Sequence, residues 1–253
     1  MDLRGYRQGT WLGRLMRLPF RLIPSWLPVP FVQGSLRGKW WISGSGDKSH
    51  WLGLYELETR TCMERHVRQG DVVFDVGAHH GLYTLMASVL AGPSGRVVAF
   101  EPLPGNATVL QKHLRLNRIR NVQVMNRAAS DTTGMSRFST GISHWEGSLN
   151  AGGQLEVGTV ALDDVVGTEI PAPQVVKMDV EGAELRVLMG ARNTLSRHRP
   201  VIIFEAHTEA LRAECTKLLE GLDYEVTVLA GPAEGGGGSF HLLAKPRTAA
   251  SRS

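Results

Sequence analysis

Residues 71–81 read Asp-Val-Val-Phe-Asp-Val-Gly-Ala-His-His-Gly, and a second apolar run closes at Glu101, twenty positions beyond Gly81. Val72, Val73, Phe74 and Val76 make a short β-branched run of the kind that fills a strand buried on both faces. Gly77 ends it, and from Gly81 to Leu90 the pattern predicts a helix. Strand, glycine turn, helix, strand and acid form the opening βαβ unit of a nucleotide-binding sheet. Glycines in the turn let backbone approach a ligand closely. The helix N-terminus favours anionic groups, and an acid at the end of the second strand can accept hydrogen bonds from ribose hydroxyls.

The spacing of the turn separates two ligands. A dinucleotide fingerprint is G-x-G-x-x-G, which seats a pyrophosphate on the helix end. Here the glycines stand at 77 and 81, with Ala78, His79 and His80 between them and Asp75 just before. A carboxylate beside the turn repels a pyrophosphate but suits an ammonium or sulfonium group. S-adenosylmethionine carries both. An NAD(P)-dependent oxidoreductase stays as the first rival, weakened by the spacing and by the lack of a Tyr-x-x-x-Lys pair. A non-catalytic scaffold that merely binds the donor is the second.

Further motifs follow in order. Asp75-Val76-Gly77-Ala78-x-x-Gly81-x-Tyr83-Thr84, Phe100-Glu101-Pro102-x-Pro104-x-Asn106, Leu162-Asp163-Asp164, Lys177-Met178-Asp179-Val180-Glu181-Gly182-Ala183-Glu184 and Phe204-Glu205-x-His207 run along the chain. Over residues 51–245 this set resembles the FkbM family of S-adenosylmethionine-dependent methyltransferases, with one departure: His79 stands where the family usually has Asn. The resemblance implies a Rossmann-like, seven-stranded class I methyltransferase sheet whose last strand is antiparallel, with helices on both faces. It also implies transfer of a methyl group to a hydroxyl on a small molecule, sugar or lipid-linked glycan.

Composition bounds the rest. A chain of 253 residues with 42% hydrophobic and 21% charged content is one sizeable α/β domain with a small appendage. Cys62 and Cys215 form no metal or redox spacing, which points to a reduced, cytoplasmic protein. Charge is uneven. No carboxylate lies between Asp2 and Asp47, while Arg4, Arg7, Arg14, Arg17, Arg21, Arg37 and Lys39 do. That segment holds +7 of a net +4, leaving −3 for the remainder. Five of the six tryptophans (11, 26, 40, 41 and 51) also fall in the first 51 residues. Thr10 to Leu18 predicts a helix with Trp11, Leu12, Leu15, Met16 and Leu18 on one arc, Arg14 and Arg17 on the other, and Pro19 as its stop. Either this arm packs on the domain or residues 1–40 touch an anionic membrane peripherally. Nothing accompanies the charge that would read nucleic acid.

The expected organisation is a basic, Trp-rich arm over 1–50, a methyltransferase domain over 51–245 and a disordered tail over 246–253. Helices are expected at 54–67, 106–116, 182–194 and 209–222, and strands at 72–76, 96–101, 122–126, 175–179, 201–205, 224–229 and 240–244. Residues 131–158, rich in Gly, Ser, Thr and Asn, read as hairpins or a mobile loop.

Ligands of such sheets sit beyond the carboxyl ends of the strands. Asp75, Gly77, Ala78, His79, Gly81, Tyr83 and Thr84 are candidates for the donor's methionine end, and Glu101 and Pro102 for its ribose. Asn126, Ala128 and Asp131 either border the adenine or form a plain polar loop. His79 and His80 are pocket or surface residues, and Asp163 and Asp164 are helix caps. A sulfonium methyl is already activated, so transfer needs alignment and a proton acceptor for the hydroxyl. Asp179, Glu181 and His207 are the catalytic candidates, Asp179 also bordering the donor. His207, taken as neutral near pH 7, is the base. A metal ion held by Asp179 and Glu205, Mg²⁺ by ligand type, is the alternative.

Overall fold

A computed structural model of the chain describes residues 23–46, 49–53, 55–140, 147–149, 155–232 and 238–248. The helix expected over Thr10–Leu18 and the tail from residue 249 lie outside them.

The apolar runs become a seven-stranded sheet. Strands β3 (Val72–Val76), β4 (Arg96–Phe100), β5 (Val122–Met125), β10 (Val175–Met178), β11 (Val201–Ala206), β12 (Tyr224–Ala230) and β13 (Phe240–Pro246) lie in the order β12-β13-β11-β10-β3-β4-β5. The inner pairs are parallel, and β13 runs antiparallel to both of its neighbours. Successive residues feed opposite faces. Val73, Val97 and Ile203 enter one core, and Phe74, Val98 and Ile202 enter the other. This is why the runs are continuously apolar instead of alternating. Helices α2 (Leu57–His66), α3 (Leu82–Ala91) and α4 (Pro104–Leu116) cover the first face. Helices α5 (Leu162–Val165), α6 (Glu184–Met189), α7 (Arg192–His198) and α8 (Glu209–Gly221) cover the second.

Three expectations change. The helix expected over 182–194 is two helices, broken at Gly190, where a Cβ would stand 2.0 Å from the Ser130 carbonyl oxygen. Asp163 does act as a cap, but for α7, thirty residues on: its carboxylate accepts from the Asn193 and Thr194 amides at 2.9 and 2.7 Å. Of the two readings of residues 131–158 the hairpins are seen: β7 (Gly134–Thr140) pairs antiparallel with β8 (Gly147–Leu149) and β9 (Leu155–Val160), and with β6 (Ala128–Ala129) they form a second sheet in the order β6-β9-β7-β8. It buries Phe138 and Val157 against Leu103 and Ala128. The tail expected from residue 246 does not begin there: β13 runs to Pro246, and the Arg247 amide donates to the Asp223 carbonyl at 2.9 Å.

The stretch from Ile23 to Gly46 packs on the domain. Strands β1 (Pro28–Pro30) and β2 (Trp40–Ile42) form an antiparallel ribbon. Its inward residues, Val29 and Trp41, are buried in the same core as Leu82, Leu85 and Leu114. Helix α1 (Ser49–Leu52) follows. Trp41 stacks on His113 of α4 with centroids 3.8 Å apart and rings 14° from parallel. His113 takes the Ile42 amide on Nε2 (3.1 Å), and its Nδ1 is 2.8 Å from the His80 carbonyl. One imidazole of fixed tautomer thus joins ribbon, helix and glycine turn.

Candidate active site

Gly77 sits at φ +83°, and a Cβ there would fall 1.7 Å from the Asp179 carbonyl oxygen. The turn after β3 and the exit of β10 therefore meet backbone to backbone, which only glycine permits. Gly77 and Ala78 donate their amides to the Phe100 carbonyl, each at 3.0 Å. His79 is left-handed (φ +48°), a conformation that Asn and His tolerate better than most residues. Its amide donates to Glu101 Oε2 at 2.7 Å. The Leu103 amide and the Asn106 side chain reach the other Glu101 oxygen at 2.9 and 3.2 Å. Burial pushes the Glu101 carboxyl up to about 7 even against these three donors.

These elements wall a cavity of about 300 Å³ at the carboxyl ends of β3, β4 and β10, within the range of ligand pockets. Phe100, Leu103, Ala128, Ala129 and Phe138 give it apolar lining. Glu101, Pro102, Gly77, His79, His80 and Asp179 also border it. Of the three adenine candidates only Ala128 borders the cavity. Asn126 donates to the Glu101 carbonyl at 2.8 Å. Asp131 pairs with Arg186 at 2.9 Å, anchoring α6.

Asp75 does not face the ligand space. It is fully buried, its carboxylate receiving the Thr84 hydroxyl at 2.5 Å and facing the Lys177 ammonium at 4.0 Å. Thr84 therefore serves Asp75. Lys177 borders the cavity instead, 3.5 Å from Asp179 and 4.6 Å above the Tyr83 ring. Burial pulls the Lys177 ammonium down, but Asp179, Asp75, Glu56 and Glu205 outweigh it and hold its pKa above the ordinary value. Tyr83 donates its hydroxyl to Glu56 at 2.7 Å, which gives Glu56 a role that the sequence did not.

At the cavity wall, the ends of β10 and β11 bring together the three catalytic candidates and more. His207 Nδ1 lies 2.8 Å from Glu184. Its Nε2 lies 3.1 Å from Glu181, 3.7 Å from Asp179 and 3.9 Å from Glu205. Burial alone would lower the imidazole's pKa, but these carboxylates raise it to about 11. His207 is thus an imidazolium at neutral pH. The neutral general base expected from the sequence is not the species here, because Glu181, Glu184 and Asp179 hold the proton. Asp179 and Glu181 both border the cavity.

Trp41, His50, Tyr55, Leu103, Asn106 and Phe138 also border it. Trp41 comes from the N-terminal ribbon, His50 from α1, Tyr55 from the residues before α2 and Phe138 from the second sheet, none of which has a local motif, whereas Asn106 closes the motif that begins at Phe100. Lys177 stands inside the most specific motif and was legible there as a residue, though not as a pocket wall.

Sheet order, glycine turn, strand-end Glu101 and the cavity between them define a class I S-adenosylmethionine-dependent methyltransferase. The chain belongs to the FkbM methyltransferase family: the methyltransferase FkbM domain matches residues 75–226. It is 29% identical over 232 residues to the 31-O-demethyl-FK506 methyltransferase FkbM of Streptomyces tacrolimicus, covering 77% of this chain and 88% of that one. It is 32% identical over 167 residues to the hexuronic acid methyltransferase AglP of Haloferax volcanii, covering 64% and 67%. In fold it is similar to a methyltransferase FkbM from Methylobacillus flagellatus, with TM-score 0.54 and 20% identity. That likeness covers 79% of this chain and spans 55% of the other. Membership of the family sets aside both the oxidoreductase and the scaffold.

Proposed function

We propose that the enzyme transfers the methyl group of S-adenosylmethionine to a hydroxyl of a sugar or a similarly oxygen-rich small molecule, free or lipid-linked. In this reading adenine lies against Phe138 and Leu103, the ribose hydroxyls donate to Glu101, and the methionine end reaches Gly77 and His79. Lys177 offers a counter-charge to the donor's carboxylate. The methyl then points at Asp179 and Glu181. The acceptor oxygen attacks the methyl carbon, the carbon–sulfur bond breaks, and S-adenosylhomocysteine leaves as a neutral thioether. The hydroxyl proton passes to Asp179 or Glu181, while His207, already protonated, holds both carboxylates in place. The observation that carries this reading is the presence of Asp179 and Glu181 in the wall of the donor cavity.

Its test is transfer of labelled methyl from the donor to neutral sugars, hexuronic acids and macrolides, followed by mild alkali. Label that survives alkali is an ether and supports hydroxyl methylation. Label released as methanol is an ester and makes the acceptor a carboxylate.

A second reading concerns location. Trp26 and Trp40 are 72% and 44% exposed, and Arg37 of the same segment is exposed too. Tryptophan and basic residues together suit the interface of an anionic membrane. No helix among the described residues is long and apolar enough to cross one. We read the enzyme as cytoplasmic, touching the membrane peripherally through residues 1–40.

A further inference from the structure

Methyl transfer to a hydroxyl needs one proton acceptor, yet the ends of β10 and β11 gather Asp179, Glu181, Glu184 and Glu205 around one histidine. We propose that Asp179, Glu205 and His207 bind a divalent metal ion, with Glu181 in reach as a fourth ligand.

Each of the three residues offers a ligand atom, and these atoms lie within 4.8 Å of one another. Neighbouring ligands of one ion, at bond lengths of about 2.0–2.2 Å, stand roughly 3–3.6 Å apart. The observed 3.7 and 3.9 Å from Nε2 to Asp179 and Glu205 need to close by only a few tenths of an ångström. Asp179 Oδ1, the oxygen nearest Nε2, is sealed from solvent and accepts no hydrogen bond. Without an ion this oxygen faces only the His207 imidazolium, at a distance too long for a hydrogen bond; a metal ion would take the place of the Nε2 proton and release it on binding.

The support around the ring points the same way. Glu184 is fully buried, and one of its oxygens both takes the Gly182 amide at 3.0 Å and holds His207 Nδ1 at 2.8 Å. A carboxylate on the far nitrogen is the arrangement that orients a ligating imidazole and raises its basicity. The Ser239 hydroxyl donates to Glu205 and fixes that ligand in turn. A neighbouring group, Glu56, Glu205 and His241, has comparable spacing. There Glu56 already receives the Tyr83 hydroxyl, and His241 Nδ1 lies 3.0 Å from the Thr59 hydroxyl. Glu205 is common to both groups; the Asp179 group has in addition a carboxylate oxygen that accepts no hydrogen bond and a buried carboxylate behind its imidazole, so the ion is placed on the Asp179 side.

Two carboxylates and one imidazole suit Mn²⁺, Zn²⁺ or Mg²⁺. Resting on the function proposed above, the ion would act as a Lewis acid toward an acceptor carrying adjacent oxygens, such as a vicinal diol, beside the methyl. Its binding does not depend on that function and is tested separately.

The experiment is a titration of the full chain with Mn²⁺, followed by the free-ion paramagnetic signal and by calorimetry, without donor or acceptor. The wild type should bind one ion saturably. Asp179→Asn, Glu205→Gln and His207→Gln should each weaken it tenfold or more. Glu184→Gln, which removes no ligand, should weaken it roughly 10- to 100-fold. S-adenosylmethionine affinity of Glu205→Gln and Glu184→Gln reports that they are folded. Absence of saturable binding by the wild type would overturn the proposal, as would folded variants that bind like it. Loss confined to Glu56→Gln and His241→Gln would overturn it too, by moving the ion to the neighbouring group. Donor binding without Mn²⁺ binding rejects the metal alone. Mn²⁺ binding without donor binding rejects the functional reading and leaves the site standing.

Discussion

Single residues decide whether the donor has a place to sit. A Cβ at Gly77 meets a carbonyl oxygen that cannot move without shifting β10. Gly77→Ala should therefore abolish measurable donor binding in calorimetry even if some folded protein survives. Glu101 carries a subtler dependence. Replacing it by Ala should cost roughly 1.5–3 kcal/mol of donor affinity, the range for hydrogen bonds to a charged group. An unchanged affinity in a folded variant would reject the ribose assignment. Its pKa adds a pH dependence whose sign follows from the chemistry. Ribose hydroxyls donate, so the carboxylate form is the acceptor, and the empty site holds a carboxyl near 7. Below pH 7 the proton must leave before the donor binds, so affinity should fall by up to about tenfold per pH unit. Above it the affinity should level off.

At the scale of elements, contacts between distant segments matter more than propensity. Helix α7 begins with no cap of its own, and Asp163 supplies one from the first turn of α5. Asp163→Ala should lower stability by about 0.5–2 kcal/mol in denaturant unfolding, although it touches no ligand. The N-terminal ribbon depends on neutral His113, whose pKa burial lowers to about 4, and burial likewise lowers His80 of the glycine turn to about 3. Both fall below the ordinary 6.5, so the unfolded chain binds more protons between these values. Stability is fully present above about pH 6.5 and is lost as pH falls through 4 toward 3. His113→Gln should flatten this acid limb, which thermal melts from pH 7 to 4 would show. A limb as steep as that of the wild type would remove His113 from the account.

On the scale of the whole molecule, charge is divided between a basic first fifth and an acidic remainder. If residues 1–40 contact anionic lipid, the full chain should sediment with anionic vesicles at low salt, and raised salt should release it. Deleting residues 1–22 should weaken sedimentation, and Trp26→Ser with Trp40→Ser should weaken it further. Failure of the full chain to sediment at low salt would leave the exposed tryptophans without a lipid role.

The βαβ opening, the seven-strand order's ingredients and the acids at strand ends were legible because they rest on local patterns. An apolar run buried on both faces, a glycine forced to positive φ and an acid just past a strand each leave a mark within ten residues. The pairing of those marks was not legible. Asp75 reads as a ligand group beside the turn, yet the sheet places Lys177 two strand positions from Asp179 and next to Asp75, so that charge is spent internally. His207 reads as a neutral base, yet its protonation depends on Glu181 and Glu184, which are distant in sequence and adjacent only because β10 and β11 pair in parallel. Likewise, nothing local tells that Trp41 of the basic segment walls the donor cavity, since its burial in the core and its stack on His113 bring it there. Sequence determined which groups the chain carries to the rim of the sheet. Tertiary structure decided which of them face the ligand and what charge they hold, because desolvation and the electrostatics of neighbours act through space, not along the chain.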